Sequence, residues 1–307
     1  MHPRVHSAYR ATVPRPVRSW IRDKRYHRIR RVTLTLPTPP DGSVRPRRLQ
    51  LAAPSYMLVP RMLAQTGLAG YEPETLAVYL AALDLAPPGA VLDIGANVGV
   101  YGLLARALSS RDVHAFEPVP ELATIAINTG LANRLTYAVT RQAVGREPGE
   151  ATFYLSDSSD SSNSLNPAFR ASTRTLTVSV TTLDDYVETH GLIPAVIKID
   201  AETGEPDVLA GGHKTMRAHR PWLLLEVLPG RTEKAVAAEM EPWGYTWYRC
   251  VGDPPYDART DLHANDDATA APMWLMLPEP ATDEFWARSL QWLAALRATA
   301  TPGVKER

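Results

Sequence analysis

The sequence predicts an α/β fold, a mostly parallel sheet with helices on both faces, and three observations predict it. A buried strand ending at Val91-Leu92 turns through Gly95 and Gly99 into an apolar helix, Val100 to Leu108. A second strand, Val113 to Glu117, follows one α/β unit later and carries an acid at its tip. Further on, strands keep alternating with helical segments, the pattern of a parallel sheet covered on both sides.

The elements follow in order. Residues 1–50 form a basic extension, in which Pro3, Pro14 and Pro16 argue for disorder and Ser19 to Arg31 for a short basic helix. Arg31 to Leu36 and Arg47 to Ala52 alternate like two strands around the turn Pro39-Pro40-Asp41-Gly42, a hairpin signal. Leu76, Tyr79, Leu80 and Leu83 fall at helical spacing over Pro73 to Leu85, and Pro87-Pro88-Gly89 breaks that helix before the first core strand. After Glu117 come a helix from Pro120 to Leu131 and a strand around Leu135 to Val139. Ala151 to Leu155 and Thr175 to Val180 form a β insertion enclosing the polar loop Ser156 to Asn166. Strand Ala195 to Ile199, helix Glu205 to Ala218, strand Trp222 to Val227 and helix Thr232 to Trp243 continue the alternation. Strands Tyr245 to Arg249 and Met273 to Leu277 finish the sheet, and the main domain runs over residues 51–285, with a helix and tail over 286–307.

Composition bounds the class. The 307 residues suffice for a substantial core. No run of eighteen apolar residues is present, so no membrane span is expected, and the Arg-rich start lacks the apolar centre of a secretory signal. One cysteine, Cys250, excludes an internal disulfide and fits a reducing cytoplasm, with Cys250 itself a small strand hydrophobe. The formal net charge is zero, yet residues 1–50 hold thirteen basic side chains against Asp23 and Asp41, while the remainder holds twenty basic against thirty-one acidic. Such an arm can grip nucleic acid, or lie on the acidic body of its own or a neighbouring subunit in a homo-oligomer. No aromatic-interleaved binding module accompanies the arginines, which counts against nucleic acid.

The segment Asp93-Ile-Gly-Ala-Asn-Val-Gly99 carries the first functional signal. A glycine turn from strand into helix brings backbone N–H groups and a helix N-terminus to a ligand, and an acid about twenty residues on, here Glu117, accepts both hydroxyls of a ribose. A dinucleotide site wants Gly-x-Gly-x-x-Gly, but Asn97 stands where the second glycine belongs. Gly-x-x-x-Gly with Asp93 two residues before it suits a cofactor with an amino-acid arm, whose ammonium Asp93 is expected to reach directly or through water. That cofactor is S-adenosylmethionine. A glycine turn that merely packs strand on helix is the alternative, and the matching Glu117 argues against it.

With Phe116-Glu117-Pro118 and Ile197-Lys-Ile-Asp-Ala-Glu-Thr-Gly-Glu205, the segment resembles the FkbM family of S-adenosylmethionine-dependent methyltransferases over roughly residues 50–280. Two positions depart from the family pattern. Thr203 stands where the family usually has Gly, and Val119 where it often has Asn. The resemblance implies a class I methyltransferase (Rossmann-like) fold with a seven-stranded sheet, and most often O-methylation of a small molecule such as a sugar or natural product.

Ligands in such sheets bind beyond the carboxyl ends of the strands, which nominates residues by position. The cofactor set is Tyr71, Glu72, Asp93, Gly95, Ala96, Asn97, Gly99, Glu117, Pro118, Gln142, Ala143 and Asp200, with Gln142 and Ala143 at the adenine edge and Tyr71-Glu72 over the methionine end. Asp200, Glu202 and Glu226 are the carboxylates placed to orient an acceptor or take its proton, and His213 is the histidine candidate for that base. Each carboxylate can instead cap a helix, and His213 can face solvent beside Lys214. Glu205 reads as a residue compensating the helix dipole, and Asp184-Asp185 as a cap. No compact Asp-rich cluster stands at the strand ends, so no metal is expected. The serine-rich loop can cover the site or be an exposed linker. Trp243, Trp247 and Tyr248 can stack on an acceptor or pack in the core.

Three functions follow from these residues. The first is a small-molecule O-methyltransferase of bacterial specialised metabolism, such as antibiotic biosynthesis. The second is a nucleic-acid or protein methyltransferase guided by the arm, against which Ile-Asp-Ala-Glu stands where a base N-methyltransferase shows an Asn/Asp-Pro-Pro-Tyr/Phe loop. The third is a cofactor-binding partner subunit without turnover.

Overall fold

The computed structural model describes residues 28–42, 48–156, 163–262 and 272–300. The prolines of the basic arm and most of the helix expected over Ser19 to Arg31 lie outside the described residues. The last residues of that span are strand: β1 (Ile29–Thr35) pairs antiparallel with β2 (Arg48–Pro54), Val32 opposite Leu51. Alternation explains the pairing, because Val32, Leu34, Leu49, Leu51 and Ala53 all turn inward.

Helix α1 (Leu58–Thr66) follows, closed by Gly67 at φ +62, and then α2 (Pro73–Leu85), whose residues Thr75 to Leu83 are all buried. Proline in the first turn suits its start, since that N–H has no helical partner anyway. The alternating units are next: β3 (Ala90–Ile94), α3 (Val100–Leu108), β4 (Val113–Phe116), α4 (Pro120–Ala132) and β5 (Ala138–Thr140). A side sheet interrupts them, built from β6 (Ala143–Val144), β7 (Gly149–Leu155) and β8 (Arg174–Thr181) in the order β6-β8-β7. Helix α5 (Leu183–His190) leads to β9 (Pro194–Ile199).

A single helix is expected from Glu205 to Ala218, but two form, α6 (Glu205–Ala210) and α7 (His213–His219). The break falls at Gly211-Gly212, where the chain passes so close to its neighbours that a Cβ on Gly211 would lie 2.1 Å from the Gly145 carbonyl oxygen. Asp184 occupies the new helix start, its carboxylate accepting the N–H groups of Lys214 and Thr215 at 2.9 and 2.8 Å. It caps α7, while Thr182 caps α5 by accepting the Asp185 N–H. The remaining elements are β10 (Trp222–Glu226), α8 (Glu233–Met240), β11 (Thr246–Arg249), β12 (Ala258–Arg259), β13 (Met273–Leu277) and α9 (Asp283–Arg297).

The central sheet runs β12-β11-β13-β10-β9-β3-β4-β5. Strands β10, β9, β3, β4 and β5 are parallel neighbours, and β13 inserts antiparallel between β10 and β11. It therefore has eight strands where seven are expected; the eighth, β12, adds two residues to the β11 edge. The other seven follow the order of the class I methyltransferase fold.

Alternation divides the core. Val91, Val196, Leu224 and Leu275 face one layer, with α1, α2, α3, α4 and α9. Leu92, Ile197, Leu223 and Met276 face the other, with α5, α6, α7 and α8. Trp292 of α9 is 1% exposed and donates its indole N–H to Asp84 Oδ2 at 2.8 Å, fixing α9 on α2. No helix among the described residues is long and apolar enough to cross a membrane.

Candidate active site

One cavity lies beyond the carboxyl ends of β3, β4, β9 and β10, where the polarity of a parallel sheet puts ligands. Its floor is the turn after β3. Gly95, Ala96 and Asn97 line it, and Gly95 at φ +77 does more than turn the chain. A Cβ there would fall 1.8 Å from the carbonyl oxygen of Asp200, so only glycine lets the turns after β3 and β9 cross.

Glu117, just past β4, faces this turn and is 5% exposed. Its Oε2 accepts the Asn97 N–H at 2.8 Å and its Oε1 the Val119 N–H at 2.9 Å. Both bonds fix the carboxylate's plane and leave each oxygen a further lone pair. Burial pushes its pKa up to about 7, against those two N–H groups and Lys198, which favour the charged form. Pro118, Gln142 and Ala143 continue the same wall.

Opposite, Tyr71 and Glu72 line the cavity before α2. Glu72 stands in the left-handed region (φ 47, ψ 48) and accepts the Tyr101 hydroxyl at 2.7 Å. Burial raises its pKa, and the Tyr101 hydrogen bond opposes the rise.

The segment after β9 makes the third side. Asp200 and Glu202 line the cavity, joined by Glu226 at the end of β10. Glu202 and Thr203 both take positive φ, 50° and 81°. Thr203 thus holds a left-handed position that suits the glycine usual there in the FkbM family. Glu205, an acid in the first turn of α6, is fully buried and accepts the Ala201 N–H at 2.8 Å, tying the turn after β9 to this helix.

Burial pushes Glu202 up to about 9 and Glu205 up to about 7, and raises Glu226 well above the carboxylate range. Mutual repulsion among these groups and Asp200 adds to each rise.

Three of the expected residues stand away from the cavity wall. Asp93 is expected to meet the cofactor's ammonium, but it is fully buried behind the turn. Its Oδ2 accepts the Gly102 N–H of α3 at 2.9 Å, and Oδ1 lies 3.8 Å from Lys198 Nζ. Gly99, at φ +82, serves helix packing: a Cβ would meet the Tyr137 hydroxyl at 2.5 Å and Ala126 Cβ at 2.8 Å. His213 is half exposed on α7, 2.9 Å from Glu239 Oε2 and edge-on to Trp243, so it is not placed to serve as a base for this cavity.

Lys198 is the residue that sequence reasoning missed. It is 3% exposed near the start of the third motif, Ile197 to Glu205, lines the cavity, and donates to Asp200 Oδ2 and the Gly95 carbonyl, each at 3.1 Å. Burial alone lowers a lysine's pKa, but here the carboxylates of Asp200 and Asp93 outweigh it and the net shift is upward. Helix α1 also went unread, and its Leu58, Val59 and Met62 line the cavity. The side sheet supplies Phe153, Asn163 and Leu165. The serine-rich loop is described only at its ends, and there Ser164 donates to the Glu202 carbonyl at 2.5 Å, fastening that loop to the third motif.

The donor set fits S-adenosylmethionine. A rigid carboxylate at the tip of β4 suits a ribose, Gln142 an adenine edge, and the acidic lining a ligand bearing sulfonium and ammonium charges.

The profile of the methyltransferase FkbM domain matches residues 93–246, half of the chain. No curated protein matches the chain in sequence. Among solved structures, a methyltransferase FkbM from Methylobacillus flagellatus KT is 16% identical, with a TM-score of 0.37, over 62% of this chain and 43% of its own. The chain thus spans less than half the length of that relative. The O-methyltransferase TomG from Streptomyces achromogenes, described in complex with SAM, is 14% identical over 66% of this chain and 78% of its own, TM-score 0.37. Magnesium protoporphyrin IX methyltransferase from Synechocystis PCC 6803, described with bound SAM, is 11% identical over 72% and 83%, TM-score 0.38. On the domain match over half of its length, the chain belongs to the FkbM methyltransferase family.

Proposed function

We propose that this chain is an S-adenosylmethionine-dependent O-methyltransferase that acts on a hydroxyl of a small molecule in bacterial specialised metabolism. The observation that carries the proposal is that one cavity is lined both by Glu117, just past β4, and by the carboxylates Glu202 and Glu226, beyond β9 and at the end of β10. Glu117 would hold the ribose hydroxyls, the Gly95-Ala96-Asn97 turn the amino-acid arm, and Gln142 the adenine. The cofactor, when bound, supplies a methyl group on a positively charged sulfur, already activated for displacement.

The chain's own work is alignment, exclusion of water and removal of one proton. Glu226 and Glu202 are the groups for that proton. Burial and mutual repulsion raise the proton affinity of both. Positive charge brought beside them would lower their proton affinity, leaving one carboxylate able to accept the acceptor's hydroxyl proton. Leu58, Val59 and Met62 of α1 add apolar surface to the cavity wall.

Calorimetric titration with S-adenosylhomocysteine tests the reading on the wild-type chain, Glu117→Ala and Glu226→Gln. Loss of Glu117 is expected to weaken binding at least about tenfold, the worth of a hydrogen-bonded charged group. Glu226→Gln is expected to bind as the wild type does and to transfer radiolabelled methyl to hydroxyl acceptors about 100-fold more slowly or worse. A folded wild-type chain that binds no S-adenosylhomocysteine overturns the proposal.

A further inference from the structure

We propose that the cavity continues into a subsite for a protonated amine, so that the methyl acceptor is an amino alcohol. The proposal rests on the methyltransferase reading and adds the acceptor's class. Glu226 is 8% exposed, lines the cavity, and its Oε2 accepts no hydrogen bond from any described residue. A buried carboxylate oxygen without a donor costs free energy that a bound group can recover. Glu202 lines the cavity with it, held there by the left-handed turn, and Glu205 stands behind with its own Oε2 lacking a partner.

Positive charge from the protein offsets these carboxylates only in part. Lys198 is the lysine among the described lining residues, and its ammonium already serves Asp200, the Gly95 carbonyl and Asp93. Arg170 acts on Glu202 from the exposed rim, where its guanidinium lies 5.0 Å from the centre of the Phe169 ring. Five carboxylates line the cavity in all: Glu72, Glu117, Asp200, Glu202 and Glu226.

This wall repels a phosphate or carboxylate. A neutral polyol can donate to Glu226 Oε2 but brings no charge to the Glu226 and Glu202 pair. A divalent metal needs several oxygen ligands that converge, and no group of three or more His, Cys, Asp or Glu residues among the described residues is arranged to hold one. An ammonium supplies one charge and three N–H donors, and needs only Glu226 and Glu202. Phe153 and Leu165 offer an apolar wall to the carbon frame that carries it.

The test compares two probes on protein saturated with S-adenosylhomocysteine at pH 7.5: trans-2-aminocyclohexanol and trans-1,2-cyclohexanediol, which differ by an ammonium for a hydroxyl. Calorimetry or ligand-observed NMR is expected to show the amino alcohol bound at least tenfold tighter. That advantage is expected to fall below threefold in Glu226→Gln, which still takes up S-adenosylhomocysteine. Equal or tighter binding of the diol overturns the proposal, as does binding of neither probe. Magnesium ion is titrated separately, and its binding with displacement of the amino alcohol would reassign the subsite to a metal. A folded chain that takes up no S-adenosylhomocysteine fails the methyltransferase reading itself. That result is seen before either probe is added, and the amine subsite falls with it.

Discussion

Lys198 shows how much one side chain decides here. Its ammonium sits between Asp93 and Asp200 and also holds the Gly95 carbonyl, so one buried cation joins the turns after β3 and β9. Taking such a charge out of water is expensive, and its partners repay the cost only while all are present. Lys198→Met is therefore expected to lower stability by about 3–5 kcal/mol, measured by urea unfolding, because Asp93 loses its compensating charge in full burial. The double change Lys198→Met with Asp93→Asn is expected to recover part of that loss. The strand-end rule read directly from the sequence places Glu117, Asp200, Glu202 and Glu226 on this cavity, since each ends or follows a core strand. Lys198 was not legible that way. A lysine inside an apolar strand gives no sign of its partner, and Asp93 lies more than a hundred residues away in the chain. Asp93 itself was legible as important but not as inward-facing, because Gly102 of α3 claims it.

At the scale of elements, local signals located almost every strand and helix, and tertiary packing decided the exceptions. The helix read as continuous from Glu205 to Ala218 is two, because Gly211 must let the Gly145 carbonyl approach. Helix propensity alone favours alanine over glycine by about 1 kcal/mol. Packing opposes it: a Cβ at 2.1 Å from a backbone oxygen forces the chain to move. Gly211→Ala is accordingly expected to destabilise by about 1–3 kcal/mol, and thermal unfolding would read a lower Tm. A higher Tm would mean that the helix break is not imposed by this contact. Helix α1 escaped notice for a different reason: it is short, and Pro60 in its first turn reads as a breaker although its N–H is unneeded there.

For the whole molecule, the buried carboxylates make stability depend on pH in an unusual direction. Glu117 holds its proton up to about pH 7 when folded and up to about 4.5 when unfolded. Between those values the folded state binds more protons, so stability falls as pH rises through the window. Glu202, Glu205 and Glu226 are shifted the same way. The ligand-free protein is expected to have a Tm several degrees higher at pH 5.5 than at pH 7.5, at about 2–4 °C per kcal/mol for a large domain. Glu117→Gln is expected to flatten that slope, and a slope of opposite sign would overturn the account. The side sheet has a different bearing on the molecule. It touches the third motif where Ser164 meets the Glu202 carbonyl, and it gives the cavity Phe153, Asn163 and Leu165 while contributing no strand to the central sheet. Descent with modification can therefore edit this insertion to accommodate new chemistry without rewriting the strands on which folding depends, and a library built to retarget the enzyme belongs at 153, 163 and 165.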